Sequence, residues 1–335
     1  MDVRDLGEFG LIERLRRALG DAADERLVAG IGDDAAAWRA GGGYAVATTD
    51  TLVAGVHFLA GEVAWRDVGW KALAVNISDV AAMGATPSFA LVTLCVPPDT
   101  SVEAMDELYA GLRECVDAYG VTVAGGDIVS SPVFTITVAL SGDAVARGDG
   151  TPGLLRRGGA RAGDAVAVTG PLGGSAGGLR VLTEGAGCTS AAERLVARHM
   201  RPRPRVDAGR AAVSAGAACA IDISDGLVQD LGHVCEASGL GADLWLDRVP
   251  LDEALVAVYP DDAQALAASG GEDYELIVVA PEDVLRRAEV MLGGPLAVIG
   301  VMRAGTGVRV LDARGREVRL PTRGWDHLAR PESDA

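Results

Sequence analysis

The sequence predicts a protein of two domains, each with mixed α/β (α+β) structure. Apolar segments with strand-like and helix-like spacing alternate along the whole chain, as is typical of layered α and β structure. The chain has 335 residues and 49% hydrophobic content, which is enough for two separate cores. Between Arg147 and Asp164 the glycine- and arginine-rich stretch RGDGTPGLLRRGGARAGD interrupts the pattern. We therefore predict domains over residues 1–147 and 148–335.

In the first half of the chain, acidic residues follow apolar segments. Residues 44–49, YAVATT, are β-like, and this strand is expected to end at Asp50. The next helix is predicted to stop at Gly84, and it presents Asn76 and Asp79, three residues apart, on one face. In order, the predicted elements are helix 8–19 ended by Gly20, strand 44–49, helix 65–83, strand 91–96, helix 102–119, strand 121–124 and strand 133–140.

The second half opens with a strand over 165–169 and the glycine-rich turn GPLGGSAGG at 170–178. This turn resembles a phosphate-binding loop, because backbone N–H groups at a helix N-terminus bind anions. It lacks the GK[ST] ending of a Walker A loop, so a purely steric role for its glycines stays open. The remaining predicted elements are helices near 191–200 and 206–216, strand 218–223, a helix from Asp225 to about Ser238, strands 243–247, 274–280, 296–302 and 307–311, and helices near 260–268 and 281–291.

The charge of the chain limits the kinds of partner it can bind. The formal net charge is −17, which argues against nucleic acid or an anionic membrane surface as the main partner. A small anionic ligand would need cations to bridge it to such a protein. The chain has a single lysine, Lys71, so lysine side chains cannot supply those cations.

Cysteine usage and the N-terminal segment predict a cytoplasmic protein. The five cysteines are odd in number, widely spaced and without a CxxC pair, which indicates buried hydrophobic residues in a reducing compartment. The start, MDVRDLGEFG, lacks the cationic start and the apolar run of a signal peptide, and no stretch reaches 18 uninterrupted apolar residues. The cysteines are Cys95, Cys115, Cys188, Cys219 and Cys235.

Aspartates recur at the ends of the apolar segments, beside glycine, serine or threonine. Any one of these aspartates, taken alone, is typical of a turn or a helix N-cap. If the fold brings them together, each close pair repels by about 4 kcal/mol at about 4 Å and an effective dielectric of about 20. Mg²⁺ offsets such repulsion, and it typically binds a few carboxylates plus substrate phosphates. The shared composition of these five segments therefore favours a polynuclear metal site that holds a polyphosphate. The aspartates are Asp33, Asp34, Asp50, Asp79, Asp127, Asp222 and Asp225.

Polar residues next to two of these aspartates suit the same site. Thr48 and Thr49 can supply hydroxyl or carbonyl oxygens to a hard cation. His57 follows Asp50 by seven residues, although a lone histidine is more often structural than chemical.

Charged and aromatic residues of the second half suit phosphate and organic ligands. Arg156 and Arg157 can bind a nucleotide phosphate, or they can belong to a solvated loop. Glu272 and Asp273, in GGEDYEL, follow two glycines that form a turn or admit a ligand closely. Trp325 lies in a polar tail, where it either stacks on a planar ligand or pins the tail. We find no Ser-His-Asp order and no reactive-cysteine context, so covalent catalysis lacks a candidate nucleophile.

Seven segments, in order, resemble those of the thiamine-monophosphate kinase family within the AIR synthase-like superfamily. They are GIGDDAA, TTDTLVAGVHF, KALAVNISDVAAMGATP, AGGD, IDISDGLVQDLGH, SGGEDYEL and RGWDH. The GDD, SDVAAMGA and GGD elements are shared across the superfamily and imply its fold and its ATP–metal chemistry. The segments TTDTLVAGVHF, SGGEDYEL and RGWDH are those that resemble the kinase family in particular.

The resemblance implies transfer of the γ-phosphoryl group of ATP onto the phosphate of thiamine monophosphate, which gives thiamine diphosphate in its biosynthesis. The family transfers this group directly and in line, with several Mg²⁺ ions per site and no phosphoenzyme. The resemblance also implies an N-terminal α+β domain that forms a barrel with its twin in a homodimer, and a C-terminal α/β domain. ATP and the metals would lie in the cleft between the two halves.

The resemblance assigns roles to individual residues of this chain. Asp50, Asp79 and Asp127 would assist the transfer. Thr48 stands where the family often has serine, and it keeps the hydroxyl group. Asp33 and Asp273 receive no role. The metal positions are Asp34, Thr48, Thr49, Asp50, Asp79, Asp127, Asp222 and Asp225; the ATP positions are Tyr109, Gly126, Asp127, Arg157 and Ser224; and the substrate positions are His57, Glu272 and Trp325.

Two other functions remain compatible with parts of the sequence. One keeps the fold but makes the protein an ATP-dependent cyclo-ligase or a selenophosphate-forming enzyme. The latter needs a reactive cysteine near the N-terminus, and no cysteine precedes Cys95. The other is a nucleotide- or metal-binding regulator without turnover, which the acidic residues alone would allow.

Overall fold

The computed structural model describes residues 7–19, 24–59, 61–185, 189–320, 322 and 324–325. Two residues used in the sequence analysis, Gly20 and Cys188, lie outside the described residues, as do Asp326 and His327 of the RGWDH segment. The first described element is helix α1 (Gly7–Leu19).

The N-terminal half forms a six-stranded sheet in the order β1-β2-β3-β6-β4-β5. All neighbouring strands are antiparallel except β4 and β5, which are parallel because helix α3 (Val102–Tyr119) carries the chain back between them. Strand β5 therefore lies at one edge of the sheet. The strands are β1 (Leu27–Ala29), β2 (Ala36–Ala40), β3 (Gly43–Val53), β4 (Ala85–Val96), β5 (Thr122–Ser130) and β6 (Thr135–Ala144).

Helix α2 (Trp65–Ala82) is buried on nearly every side between this sheet, α3 and the C-terminal half. Its alanines and valines let neighbouring elements come close. At Gly69 an added Cβ would lie 1.8 Å from the Leu108 carbonyl oxygen, and at Gly111 it would lie 1.6 Å from that of Arg66. The backbones of α2 and α3 are thus in direct contact, and side chains on α2 have fixed positions.

The C-terminal half forms a second six-stranded sheet, in the order β12-β9-β11-β7-β10-β8. Only β12 and β9 are parallel. The strands are β7 (Ala165–Val168), β8 (Cys219–Asp222), β9 (Gly241–Trp245), β10 (Leu276–Ala280), β11 (Ala297–Arg303) and β12 (Gly307–Leu311). The helices are α4 (Gly174–Glu184), α5 (Ser190–Met200), α6 (Val206–Ala215), α7 (Leu227–Ser238), α8 (Glu253–Val258), α9 (Ala263–Ser269) and α10 (Glu282–Leu292).

The two halves pack against each other through the end of α2. Ala81 and Ala82 share a buried apolar cluster with Leu155 and with residues of β7 and α6. The predicted two-domain fold of mixed α/β class is therefore confirmed. The domain boundary between residues 147 and 148 stays a prediction.

The predicted ends of several strands were wrong. Strand β3 continues through Asp50 to Val53, because its ladder with β6 pairs Asp50 with Val138. Strand β5 likewise continues through Asp127 to Ser130, paired with β4. Both aspartates therefore lie within strands, since pairing with a neighbour outweighs the turn preference of an isolated aspartate. The short elements β1, β2 and α8 were not predicted.

The remaining general expectations concern membranes and thiols. Among the described residues, no helix combines the length and apolar character that a membrane span requires. Four cysteines are free thiols, and three of them are buried. Burial raises the pKa of the Cys115 and Cys219 thiols to about 12, so these side chains behave as small apolar residues.

Candidate active site

Three aspartates from separate segments meet where the two halves join. Asp34 precedes β2, Asp79 lies on the last turn of α2, and Asp222 ends β8. Each offers a carboxylate oxygen, and these oxygens all lie within 4.8 Å of one another. Asp34 and Asp222 are buried. We call these three residues the aspartate cluster.

Neighbouring polar groups hold the aspartate cluster in place. The Thr48 hydroxyl donates to Asp79 Oδ2 at 2.5 Å, and the Ser78 hydroxyl donates to Asp222 Oδ2 at 2.7 Å. The Arg157 guanidinium donates to Asp34 Oδ1 at 2.6 Å. These contacts come from β3, from α2 and from the segment after the predicted domain boundary.

Asp50 lies beside the aspartate cluster on β3. Its backbone N–H donates to Asn76 Oδ1 at 3.0 Å, and Asn76 lies on the same face of α2 as Asp79. Asp50 also raises the pKa of Asp79, which places the two carboxylates within electrostatic reach. The sequence prediction that Asn76 and Asp79 face one partner is therefore confirmed.

The carboxyl groups of the cluster resist ionisation. Burial, together with Asp50, Asp222 and Asp34, raises the pKa of Asp79 well above its ordinary value. Burial and Asp34 raise the pKa of Asp222 to about 8, and burial raises that of Asp34 although Arg157 opposes the shift. A bound cation would reverse these shifts.

The donor set of the cluster fits a hard divalent cation. All three residues offer carboxylate oxygens, the ligands that Mg²⁺ prefers. Asp34 Oδ2 is buried, and among the described residues it has no hydrogen-bond partner. A buried carboxylate oxygen without a donor is costly, so its presence indicates a ligand at this position.

The stability of the metal-free protein should fall as the pH rises from about 4 to about 8. The carboxyl of Asp222 has an ordinary pKa of 3.8 and a pKa of about 8 in the fold. Between these values the folded state holds more protons than the unfolded state, so a rise in pH favours unfolding. Thermal melting in EDTA across this range tests the slope. Asp222→Asn should flatten the slope, and an unchanged slope in that variant would contradict the assignment.

A second acidic group lies at the start of α7, with Asp225 just before the helix. Asp225, Asp230 and His233 each offer one atom, and these atoms lie within 4.8 Å of one another. Asp230 Oδ2 accepts the backbone N–H groups of Asp225 at 3.2 Å and of Gly226 at 3.0 Å. Sequence reasoning missed Asp230, although its position four residues after a glycine turn is typical of a residue that closes such a turn.

Two predicted substrate residues, His57 and Glu272, lie near each other, together with two residues that were not predicted at the site. The Lys71 ammonium lies 2.7 Å from Glu272 Oε1, and the His199 ring lies 3.4 Å from Glu272 Oε2. His57 is close enough to help lower the pKa of Glu272. The ring of His57 accepts the Val53 N–H at 3.1 Å, which fixes its orientation. Lys71 pairs with Glu272 and not with the aspartate cluster.

The glycine-rich turn at 170–178 already holds a carboxyl side chain, that of Asp273, whose pKa is raised to about 7 by burial. Asp273 Oδ2 accepts the Gly173 N–H at 2.6 Å, and Asp273 Oδ1 accepts the Ser175 N–H at 3.1 Å. These amides open helix α4, where a phosphate would otherwise bind. Asp273, which had no predicted role, therefore occupies the anion position of the loop.

Three predicted residues lie away from the aspartate cluster. Asp127 lies on β5, three strands from β3, which corresponds to about 14 Å across the sheet. Gly126 precedes it, and a Cβ there would lie 1.8 Å from the Val92 carbonyl oxygen. Tyr109, on α3, is half exposed at a cavity of about 500 Å³. That cavity is lined by Tyr109, Leu112, Arg113, Val116, Val121, Thr122 and Val123.

The side chain of Thr49 points away from the aspartate cluster. Successive strand residues face opposite sides of the sheet, so Thr48 faces α2 and Thr49 does not. The Thr49 hydroxyl donates to the Val138 carbonyl at 3.1 Å.

The C-terminal tail returns to the segment that follows β8. The Trp325 N–H donates to the Asp225 carbonyl at 3.0 Å, and Gln229 Nε2 donates to the Trp325 carbonyl at 2.5 Å. Ser224, in the same segment, accepts the Glu272 N–H at 2.8 Å. The structure thus brings Trp325, Asp225, Ser224 and Glu272 to one edge of the site.

Comparisons with known proteins agree with this arrangement. Two family models match the chain: AIR synthase related protein, N-terminal domain, over residues 32–144, and AIR synthase related protein, C-terminal domain, over residues 161–313. The thiamine-monophosphate kinase of Escherichia coli (strain K12) is 39% identical over 333 residues, 97% of this chain and 99% of that protein. That of Aquifex aeolicus (strain VF5) is 35% identical over 332 residues, 98% of this chain and 100% of that protein.

A solved structure described as AaThiL complexed with AMPPCP and TMP has a TM-score of 0.86 at 34% identity, over 98% of this chain and 99% of that chain. The two matched domains show that the chain is an AIR synthase related protein. Within that class, the chain belongs to the thiamine-monophosphate kinase family.

Proposed function

We propose that this chain transfers the γ-phosphoryl group of ATP directly and in line onto thiamine monophosphate, in a Mg²⁺-dependent step of thiamine diphosphate biosynthesis in the cytoplasm. The observation that carries the proposal is the aspartate cluster between the two halves, with one buried oxygen, Asp34 Oδ2, that has no donor within the described part of the chain. The relatives named above are thiamine-monophosphate kinases, and one related structure holds an ATP analogue and TMP.

The aspartate cluster and its neighbours would hold the metal ions. When bound, Mg²⁺ neutralises charge on the phosphates and orients them for in-line transfer. Asp34, Asp79 and Asp222 supply the central carboxylates, and Thr48 fixes Asp79 through its hydroxyl. The predicted metal residues Asp50 and Asp225 would complete this set. Thr49 would contribute through its backbone carbonyl oxygen, because its hydroxyl bonds to Val138, and Asp127 would hold a metal ion other than the one at Asp50.

The other side chains bind and orient the two substrates. Arg157, fixed by Asp34, would present its remaining guanidinium N–H groups to a nucleotide phosphate. His57, Glu272 and Trp325 would hold the thiamine half. No side chain has to form a covalent intermediate, because the acceptor phosphate is itself the nucleophile and is largely ionised at neutral pH.

The nucleotide would be bound by Tyr109, Gly126, Asp127, Arg157 and Ser224. Arg157 and Ser224 lie at the aspartate cluster and the edge beside it, whereas Tyr109, Gly126 and Asp127 lie on α3 and β5. The distance of about 14 Å across three strands is too long for one metal ion to join Asp127 and Asp50. An extended ligand, or a second copy of the chain, would have to bridge them.

We also propose that the chain is a homodimer built on domain 1–147, with 148–335 as the second domain. Strand β5 is an edge strand, and Ile128 and Phe89 beside it are 70% and 57% exposed. Proteins usually cover or charge an exposed apolar edge strand, because such a strand can pair with another chain.

Light scattering tests the dimer, and it should give twice the chain mass of 34.2 kDa. Ile128→Asp should give the monomer, and a monomeric wild type would exclude the dimer.

The test of the proposed activity is an ADP-release assay with and without thiamine monophosphate, at varied Mg²⁺. We expect ADP only when ATP, Mg²⁺ and thiamine monophosphate are all present, with thiamine diphosphate formed in equal amount. Full turnover in excess EDTA would contradict the metal role. Binding of Mg·ATP without any ADP release would favour a regulator, and turnover with a cyclo-ligase substrate would favour that alternative.

A further inference from the structure

The single lysine of the chain is buried inside the protein. Lys71 lies on α2, its side chain is 0% exposed, and its ammonium group lies 2.7 Å from Glu272 Oε1. Lysine is almost never fully buried unless it is paired. The pairing crosses from the N-terminal half to the segment before β10 in the C-terminal half. The burial of Lys71 and its ion pair with Glu272 indicate a role beyond packing.

Glu272 is held on two sides by protein groups and is open on a third. His199 Nδ1 lies 3.4 Å from Glu272 Oε2, and it also lies 2.9 Å from the Ser175 hydroxyl. The backbone of Glu272 has φ of +66°, a left-handed conformation that is uncommon for residues other than glycine. The side chain remains 27% exposed. The fold therefore presents this carboxylate to the site at the cost of local backbone strain.

Lys71 keeps Glu272 ionised although the carboxylate is partly buried. Burial, followed by Lys71, lowers the pKa of His199 to about 4, so that ring carries no charge at neutral pH. Burial raises the pKa of Glu272, but Lys71, with smaller contributions from His199 and His57, outweighs it and brings the pKa below its ordinary value. These groups come from α2, from α5 and from the segment after β3. Tyr274, in the same segment as Glu272, is buried, and burial followed by Glu272 keeps its pKa well above the usual range. Lys71 is the neighbour with the closest ionic contact.

We propose that Lys71 is a positioning residue for thiamine monophosphate, which it serves by fixing the Glu272 carboxylate through their ion pair and aiming it at the substrate. The inference rests on the proposed function. A fixed carboxylate suits the cationic thiazolium ring or the amino group of the pyrimidine. Lys71 and Asp79 lie eight residues apart on α2, about 12 Å along the helix axis. The helix thereby sets the distance between the Glu272 carboxylate, which would contact the thiamine part of the substrate, and the aspartate cluster.

The test is Lys71→Met, which keeps the length of the side chain and removes its charge. We expect the KM for thiamine monophosphate to rise at least about tenfold at neutral pH, the loss typical of one charge-assisted hydrogen bond. The KM for ATP should change less than about twofold, since ATP is assigned to other residues. Without the lysine, Glu272 takes up a proton in its buried position. The kcat/KM for thiamine monophosphate should therefore recover as the pH is raised, whereas the wild type shows no such recovery.

Arg205→Met is the matched control, because Arg205 forms an ion pair with buried Glu275 three residues along the same segment. This variant should lower the melting temperature and leave the KM for thiamine monophosphate and its pH dependence unchanged. Lys71→Met/Glu272→Gln should regain melting temperature, since no unpaired charge remains buried. Its KM for thiamine monophosphate should equal that of Glu272→Gln alone.

The outcomes separate this inference from the proposed function. A Lys71→Met protein that melts lower but keeps the wild-type KM and pH profile would overturn the positioning role and leave the kinase proposal intact. If Lys71→Met does not fold, a double variant that differs from Glu272→Gln in KM would overturn it. A wild-type chain without turnover of thiamine monophosphate would overturn the proposed function and this inference together.

Discussion

Replacing Asp79 by asparagine should lower kcat by at least about a hundredfold while raising the melting temperature of the ligand-free protein. Loss of an outer-shell partner of a metal ligand typically costs about 10- to 100-fold, so loss of a ligand should cost at least the upper value. The carboxyl of Asp79 lies among Asp34, Asp50 and Asp222, and the neutral amide removes its share of their repulsion. Activity and ligand-free stability should thus move in opposite directions.

Steady-state ADP release and thermal melting with and without Mg·ATP measure both effects. The rise in melting temperature caused by Mg·ATP should shrink in Asp79→Asn, because ligand stabilisation follows affinity for the folded state. Asp243→Asn is the control, since Asp243 pairs with Arg303 and Arg309 on the C-terminal sheet. That variant should melt lower and keep its kinetics. A wild-type kcat in Asp79→Asn would remove Asp79 from the metal site.

Replacing Trp325 by alanine should raise the KM for thiamine monophosphate by roughly 2- to 30-fold, because a cation–π contact with the thiazolium ring is worth about 0.5–2 kcal/mol. The backbone of Trp325 bonds to Asp225 and Gln229, and alanine keeps these bonds. The side chain is 59% exposed, so it adds little to the core. The KM for ATP should barely change.

Two further variants identify the source of the effect at Trp325. Phenylalanine keeps a π face and should restore much of the affinity, whereas leucine should restore little. If the side chain only anchors the tail, alanine should lower the melting temperature and leave the KM for thiamine monophosphate unchanged. That result would remove Trp325 from the substrate site.

Much of the candidate active site could be predicted from local sequence. Asp34, Asp79 and Asp222 stand beside glycine, serine or threonine in three separate segments, and they do meet in one cluster. Asn76 and Asp79 were placed on one helix face by spacing alone, and both bond to β3. Such inferences succeed because the direction of a side chain on a helix depends only on residues within the same turn.

The positions of Asp50 and Asp127 could not be inferred in this way. Both were predicted at strand ends, and both lie within strands. Their distance of about 14 Å follows from the strand order, in which β6 and β4 separate β3 from β5. Strand order depends on contacts between distant parts of the chain, which residue spacing does not encode.

The sequence by itself determined the two-domain α/β class, the acidic character and the segments that carry the aspartates. The tertiary structure alone decided that Lys71 would pair with Glu272 and that Asp273 would occupy the glycine-rich turn. It also decided that, among the residues that the structure describes, one oxygen of Asp34 would have no donor. Each of these outcomes depends on which groups share a buried environment. Burial and proximity between distant segments set the charge of a group, and they arise only when the two halves pack together.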